Sequence, residues 1–226
     1  MSDIAPPNIS LKEQAYSHIK KLILTEEIPV NSFLSERSLA EQLGMSKTPV
    51  KLAIERLENE GFVRVSPQQG IMVLALSFEE IIDYIDYRLA LESFVVERIT
   101  GQLGRAQVEL LRANLKEHEE VLENYQDKDQ SEKLILVDMA YHRLLFAFKA
   151  NKQISLALGH QQDMIYRIAN RCNQKYPARP EQAYQEHLAI AEAIIAGDKA
   201  QAVLLISQHI EAMKALLIGQ IGSVIA

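Results

Sequence analysis

The chain has 226 residues, 48% of them hydrophobic, with one cysteine and a formal net charge of −6. That apolar content supports a real core and excludes wholesale disorder, while a lone Cys172 excludes an internal disulfide and suits a reducing cytoplasm. Residues 1–7 have neither a basic start nor an apolar run, and the longest apolar stretch, residues 215–226, is broken by Gly219, Gln220 and Gly222, so neither a signal peptide nor a membrane span is expected.

Residues 1–9, with Pro6 and Pro7, read as a disordered leader. Leu11, Ala15, Ile19, Leu22 and Ile23 recur at helical spacing and predict a helix over residues 11–25. Residues 26–33, with Pro29 and Asn31, form a turn. Residues 35–61 then read as two short helices about a tight turn. Ser35 sits where an N-cap belongs, and Ser38 stands where a capping box would want Glu or Gln. Gly44 stops the first helix. Ser46 caps the second, and Pro49 falls in its first turn, where no backbone donor is lost. Val50, Ile54 and Leu57 make its buried stripe; Lys47, Thr48, Lys51 and, further on, Arg56 make the opposite face. Donors clustered at the start of a helix that follows a tight turn are what helix-turn-helix proteins place in the major groove.

Residues 62–65 and 71–74 are β-prone runs separated by Ser66, Pro67, Gln68, Gln69 and Gly70, which predicts a hairpin. Helix, helix-turn-helix, hairpin is the order of a winged helix. Gly70 either lets the wing approach a phosphate or minor groove, or serves the turn. The expected division is a winged helix-turn-helix over 10–74, a linker over 75–77 and an all-α antiparallel bundle over 78–222. Residues 1–76 carry eight basic and nine acidic side chains, net −1; the remainder carries 16 and 21, net −5. The acidity thus lies mostly away from the basic face. Six helices are expected in the bundle: 78–101, 105–126 (dense in charge and so peripheral), 129–149, 154–175, 180–196 and 198–218.

Three bundle helices place polar residues on apolar stripes. One reads Leu134, Asp138, Tyr141/His142, Leu145; the next Tyr184, His187, Ala191, Ile194; the last Ile206, His209, Met213, Leu216. A buried unpaired polar group costs roughly 1–3 kcal/mol. Such groups become tolerable when hydrogen-bonded singly in the core or brought together on a metal, as helical bundles do. Three imidazoles and a carboxylate suit Zn²⁺, Ni²⁺, Fe²⁺ or Mn²⁺. His18 and His118 fall on polar surfaces, and His160 has no comparable stripe. Arg88 and Glu92, four apart on the first bundle helix, are either a mutually satisfied pair or a site where Arg88 grips a ligand carboxylate.

The run LSERSLAEQLGMSKTPVKLAIERLENEGFV, with the hairpin ending at Gly70, resembles the winged helix of GntR-type bacterial transcription regulators. The helical remainder resembles the FCD ligand-binding domain of the fatty-acid-regulator branch, in its shorter six-helix form; Asp138-x-x-x-His142, Glu186-His187 and His209 match the branch's metal-ligand pattern. The resemblance implies a non-enzymatic, homodimeric repressor on a palindromic DNA operator, with DNA contacts at Arg37, Lys47, Thr48, Lys51, Gln69 and Gly70. It also implies a small organic acid whose carboxylate binds at the metal. Lys47 and Lys51 stand where the family usually has arginine; lysine neutralises phosphate but lacks the fork that reads guanine bidentately. A metalloenzyme with an attached DNA-binding module and a constitutive DNA binder with a purely structural metal are the competing readings.

Overall fold

The computed structural model describes residues 9–124, 128–159 and 161–218. Residues 1–8 of the expected leader, His160 and the chain beyond Ile218 lie outside them. The chain falls into two compact units that meet between Leu76 and Ser77.

The first unit runs α1 (Leu11–Leu24), β1 (Phe33–Leu34), α2 (Glu36–Leu43), α3 (Lys47–Asn59), β2 (Val63–Ser66) and β3 (Gly70–Val73). Ser35 caps α2, and the capping box does form: Ser38 supplies through its hydroxyl what a glutamate would, taking the Ser35 amide at 3.3 Å while Ser35 Oγ takes the Ser38 amide at 3.0 Å. Gly44 ends α2 in the left-handed conformation. Ser46 sits at the start of α3 but makes no side-chain cap. Pro49, at the third helical position, removes one of the two N–H groups that such a cap can use. Ile19, Ile23, Leu39, Val50, Ile54, Leu57, Ile71 and Val73 pack into one apolar core. Leu11, expected on the inner stripe, is 59% exposed at the first position of α1.

The hairpin gains a strand the sequence does not announce. Two-residue β1 pairs antiparallel with β3 (Phe33 opposite Met72, Leu34 opposite Ile71), giving the order β1-β3-β2. Val63 lies opposite Val73 and Ser66 opposite Gly70 in the β2–β3 ladder. Gly70 has φ +98°, and a Cβ there would lie 2.5 Å from the Leu34 carbonyl oxygen. The close approach to β1 is therefore reason enough for glycine. Glu58, on α3, accepts the Val65 amide at 2.7 Å and ties α3 to β2.

The second unit is helical: α4 (Phe78–Ile99), α5 (Arg105–Glu123), α6 (Lys128–Lys149), α7 (Lys152–Gly159), α8 (Gln162–Lys175), α9 (Arg179–Ala196) and α10 (Lys199–Ile218). The one helix expected over 154–175 is two, because Gly159, a poor helix residue, closes α7 and α8 begins afresh at Gln162. Ser77 and Glu80 form a reciprocal capping box at α4. Helix α4 packs on α10 and α6, α5 packs on α6 and α9, and α9 packs on α10. Helix α5 is not peripheral: Leu111, Asn114, Leu115 and His118 are buried along one stripe. At one end of the bundle the turn after α4 meets the turn after α9, with the Gly101 amide donating to the Ile194 carbonyl at 3.0 Å. Among the described residues no helix is long and apolar enough to cross a membrane.

Candidate functional site

Asp138 and His142 project from α6, His187 from α9 and His209 from α10, and the bundle brings all four together. Their donor atoms lie within 4.8 Å of one another. His209 Nε2 is 3.2 Å from His142 Nε2 and 3.3 Å from His187 Nε2. The Asp138 carboxylate stands 3.7 Å from His187 Nε2 and 4.0 Å from His142 Nε2. The three imidazoles are buried and Asp138 is half-buried.

What lies behind the rings fixes their protons. His142 Nδ1 meets Glu92 Oε2 at 2.6 Å, and His209 Nδ1 meets Glu186 Oε2 at 2.6 Å. Burial alone would raise the Glu92 carboxyl, but Arg88 and His142 hold it down at about 2. Glu186 is likewise raised by burial and overruled by His209 and Arg179, to about 2. Both are therefore carboxylates, which only accept. The proton belongs on Nδ1 of each ring, and a neutral ring is then bare at Nε2. Burial, helped by its histidine neighbours, pushes His187 well below the ordinary histidine value. His209 is lowered by burial against the opposing pull of Glu186. The Nε2 lone pairs of His142 and His209 converge at 3.2 Å beside a carboxylate and repel one another unless an electron-pair acceptor lies between them. The donor set thus fits a divalent cation, and the carboxylates behind two of the rings are what metal-bound histidines use for orientation.

Arg88 pairs with Glu92, but not through all of its donors. Its Nε donates to Glu92 Oε1 at 2.6 Å, and both residues are 1% exposed. Its Nη2 is buried and without a partner among the described residues. Arg88 lines a cavity of about 30 Å³ together with His118, Asp138, Arg179 and His209. That volume holds a water-sized guest. Sequence reasoning missed four residues here. Glu92 and Glu186 were visible but not assigned behind the rings, and Arg179, which grips Glu186 through two 2.8 Å bonds, was not singled out. His118 was placed on a polar surface, yet it is 1% exposed and its ring centre lies 5.7 Å from that of His187. The signal was present in the spacing of Leu111, Leu115 and His118, hidden by the charge density of α5.

The exposed basic face belongs to the first unit. Lys47, Thr48 and Lys51 are exposed on α3, and Gln69 on the wing. Arg37 and Lys47 border one recess between α2 and α3, with Ala40, Glu41, Gly44, Met45 and Ser46. Arg37 is paired with Glu41 at 2.8 Å and Lys51 with Glu55 at 3.9 Å. Exposed pairs of this kind are worth at most about 1 kcal/mol, so they yield readily to a phosphate. Arg56 does not belong to this face. It bonds Glu60 and Glu13 and lies 3.5 Å over the Tyr16 ring, locking the end of α3 to α1.

Compared with known proteins, residues 83–212 match the family described as FCD domain, and residues 11–73 the family described as bacterial regulatory proteins, gntR family. The uncharacterized HTH-type transcriptional regulator YdhC of Bacillus subtilis (strain 168) is 25% identical over 183 residues, 80% of this chain and 79% of that one. The HTH-type transcriptional repressor RspR of Escherichia coli (strain K12) is 22% identical over 205 residues, 91% of this chain and 88% of that one. Among solved structures, E. coli McbR/YncC shares the fold with a TM-score of 0.72 at 21% identity, covering 94% of this chain and 99% of that chain.

Proposed function

This chain belongs to the GntR family of bacterial regulatory proteins, with an FCD domain following its winged helix, and from that premise we propose that it is a repressor controlled by a small carboxylate bound at a metal. Membership makes it a DNA-binding transcription regulator and sets the metalloenzyme reading aside, since the families it matches are regulators. The repressor assignment draws on RspR, a full-length relative that carries that description. The protein acts in the cytoplasm as a homodimer on a palindromic operator. Arg37, Lys47, Thr48 and Lys51 meet the DNA from α2 and α3, and Gln69 and Gly70 from the wing.

Asp138, His142, His187 and His209 hold the metal, Zn²⁺ first, with Ni²⁺, Fe²⁺ and Mn²⁺ also compatible with the donors. Bound there, the metal supplies a Lewis-acidic seat for a carboxylate. The observation that carries this reading is the approach of His209 Nε2 to within 3.2 Å of His142 Nε2 and 3.3 Å of His187 Nε2, while two of the rings give their Nδ1 atoms to carboxylates. Arg88 Nη2 is the second hold on the acid. The cavity that Arg88 lines with Asp138 and His209 is where the acid would sit. Control by that acid requires it to bind one conformation of the protein better than another.

The test is elemental analysis and thermal stability of the wild type and His142→Ala, each with acetate, pyruvate and malonate as probes. Bound metal in the wild type only, with stabilisation by at least one acid, supports the reading. Metal without any acid effect would leave a structural metal and remove the effector, and no metal at all would remove both.

A further inference from the structure

Two of the three converging histidines are braced from behind by a carboxylate; the third is not. His187 is fully buried, and its Nδ1 has no hydrogen-bond partner among the described residues. No carboxylate behind the ring therefore sets its tautomer or angle, as one does for His142 and His209. What does hold the ring is Tyr141. The two rings stack with centres 4.0 Å apart and planes 9° from parallel. The same tyrosine donates its Oη hydrogen to the backbone carbonyl of His187 at 3.1 Å. Tyr141 is 0% exposed and sits on α6 one residue before His142, so one helical turn delivers both a candidate ligand and the brace for another.

We propose that Tyr141 is the positioning residue for His187, taking by stacking and by a bond to the backbone the part that Glu92 takes for His142 and Glu186 for His209. The proposal rests on the metal-site reading above. It makes the three imidazoles unequal. His142 and His209 each give their Nδ1 hydrogen to a carboxylate, which makes the opposite nitrogen more basic. His187 has no such partner and depends on packing alone. It is the ligand most sensitive to a change in the shape of its surroundings, and Tyr141 is where that sensitivity enters.

The experiment measures metal affinity by chelator competition and the visible spectrum of the Co²⁺-loaded protein. It compares the wild type with Tyr141→Phe, Tyr141→Leu and Phe146→Leu, with the melting temperature of each metal-free form as a check on folding. Tyr141→Leu removes the stack and should weaken metal binding about tenfold or more, with an altered Co²⁺ spectrum. Tyr141→Phe keeps the stack and loses only the bond to the His187 carbonyl, so it should recover most of the affinity and the wild-type spectrum. Phe146 is a buried aromatic on the same helix, 2% exposed, so Phe146→Leu makes a comparable void without touching the stack. Its metal affinity should stay near that of the wild type. Equal affinity in Tyr141→Leu and the wild type overturns the positioning role while leaving the metal site standing. An equal loss in Phe146→Leu overturns it too, since general packing would then suffice. A wild type that binds no Co²⁺ or Zn²⁺, or binds them no better than His142→Ala, overturns the metal-site reading and this inference together.

Discussion

The two units keep their polar chemistry in opposite places. Every buried polar or charged residue among those described, from Arg88 to His209, belongs to the second unit, whereas the first has an apolar interior and carries its charges outside. A face that grips a long polyanion works by exposed cations, each replaceable. A site that grips a small ion works by excluding water, and so its polar groups move into the core and must satisfy one another there. The same helical material serves both ends because only the orientation of the polar stripe differs.

The contrast can be broken most forcefully by emptying the first core. Leu57→Ala, at 0% exposure, should cost roughly 2–5 kcal/mol of stability in the first unit. Metal content should not change, and amide exchange read separately for the two units distinguishes this outcome from a loss shared by both. Acid should have the reverse effect. Burial lowers His118, His187 and His209 below the ordinary 6.5. The unfolded chain therefore takes up protons near that value that the folded chain does not. The stability these residues contribute is present above about pH 6.5 and is lost as pH falls through it. In metal-free protein, exchange protection of the second unit should fall between about pH 7 and about pH 5, while that of the first unit, which buries no histidine among the described residues, holds. Earlier loss in the first unit would contradict the assignment of the polar interior as the acid-sensitive part.

Smaller changes sharpen the comparison. Glu92→Gln keeps an acceptor beside His142 but removes the charge, and metal affinity should drop about 10–100-fold in a chelator titration. Full affinity in that variant would mean the carboxylate is not orienting His142. At the other end, Lys47→Ala should weaken DNA binding with the fold intact, and the slope of log K against log salt should decrease by about one. An unchanged slope would take Lys47 off the phosphate. Ser35→Ala is the least of these, about 1 kcal/mol from the loss of a helix cap, visible in the melting of the first unit alone.

The sequence made the interior site easier to read than the exterior one. Asp138, His142, His187 and His209 stood out because each interrupts an apolar stripe, and helical periodicity then aims it inward. The residues that support them were not legible in the same way. That Glu186 reaches His209, and Glu92 reaches His142, depends on which helices face each other, and no one-dimensional spacing contains that. His118 was misplaced because the glutamates and lysines around it on α5 outweighed a stripe of only a few residues. In the first unit the turn chemistry of Gly44 and the core positions Val50, Ile54 and Leu57 were readable from local rules. Strand β1 was not, since two residues have no period; it exists because β3 offers a free edge. The basic face rested on a motif, since exposed Lys47 and Lys51 look like any solvated lysines until a helix-turn-helix is recognised around them.

The four converging side chains come from α6, α9 and α10. No two of these helices suffice to assemble the cluster, and α10 is the last of them to be made on the ribosome. A growing chain therefore exposes its winged helix, with the whole of its basic face, well before it can close the cluster. Whatever occupies that cluster through all four side chains can do so only once α10 has been made and has packed on α9.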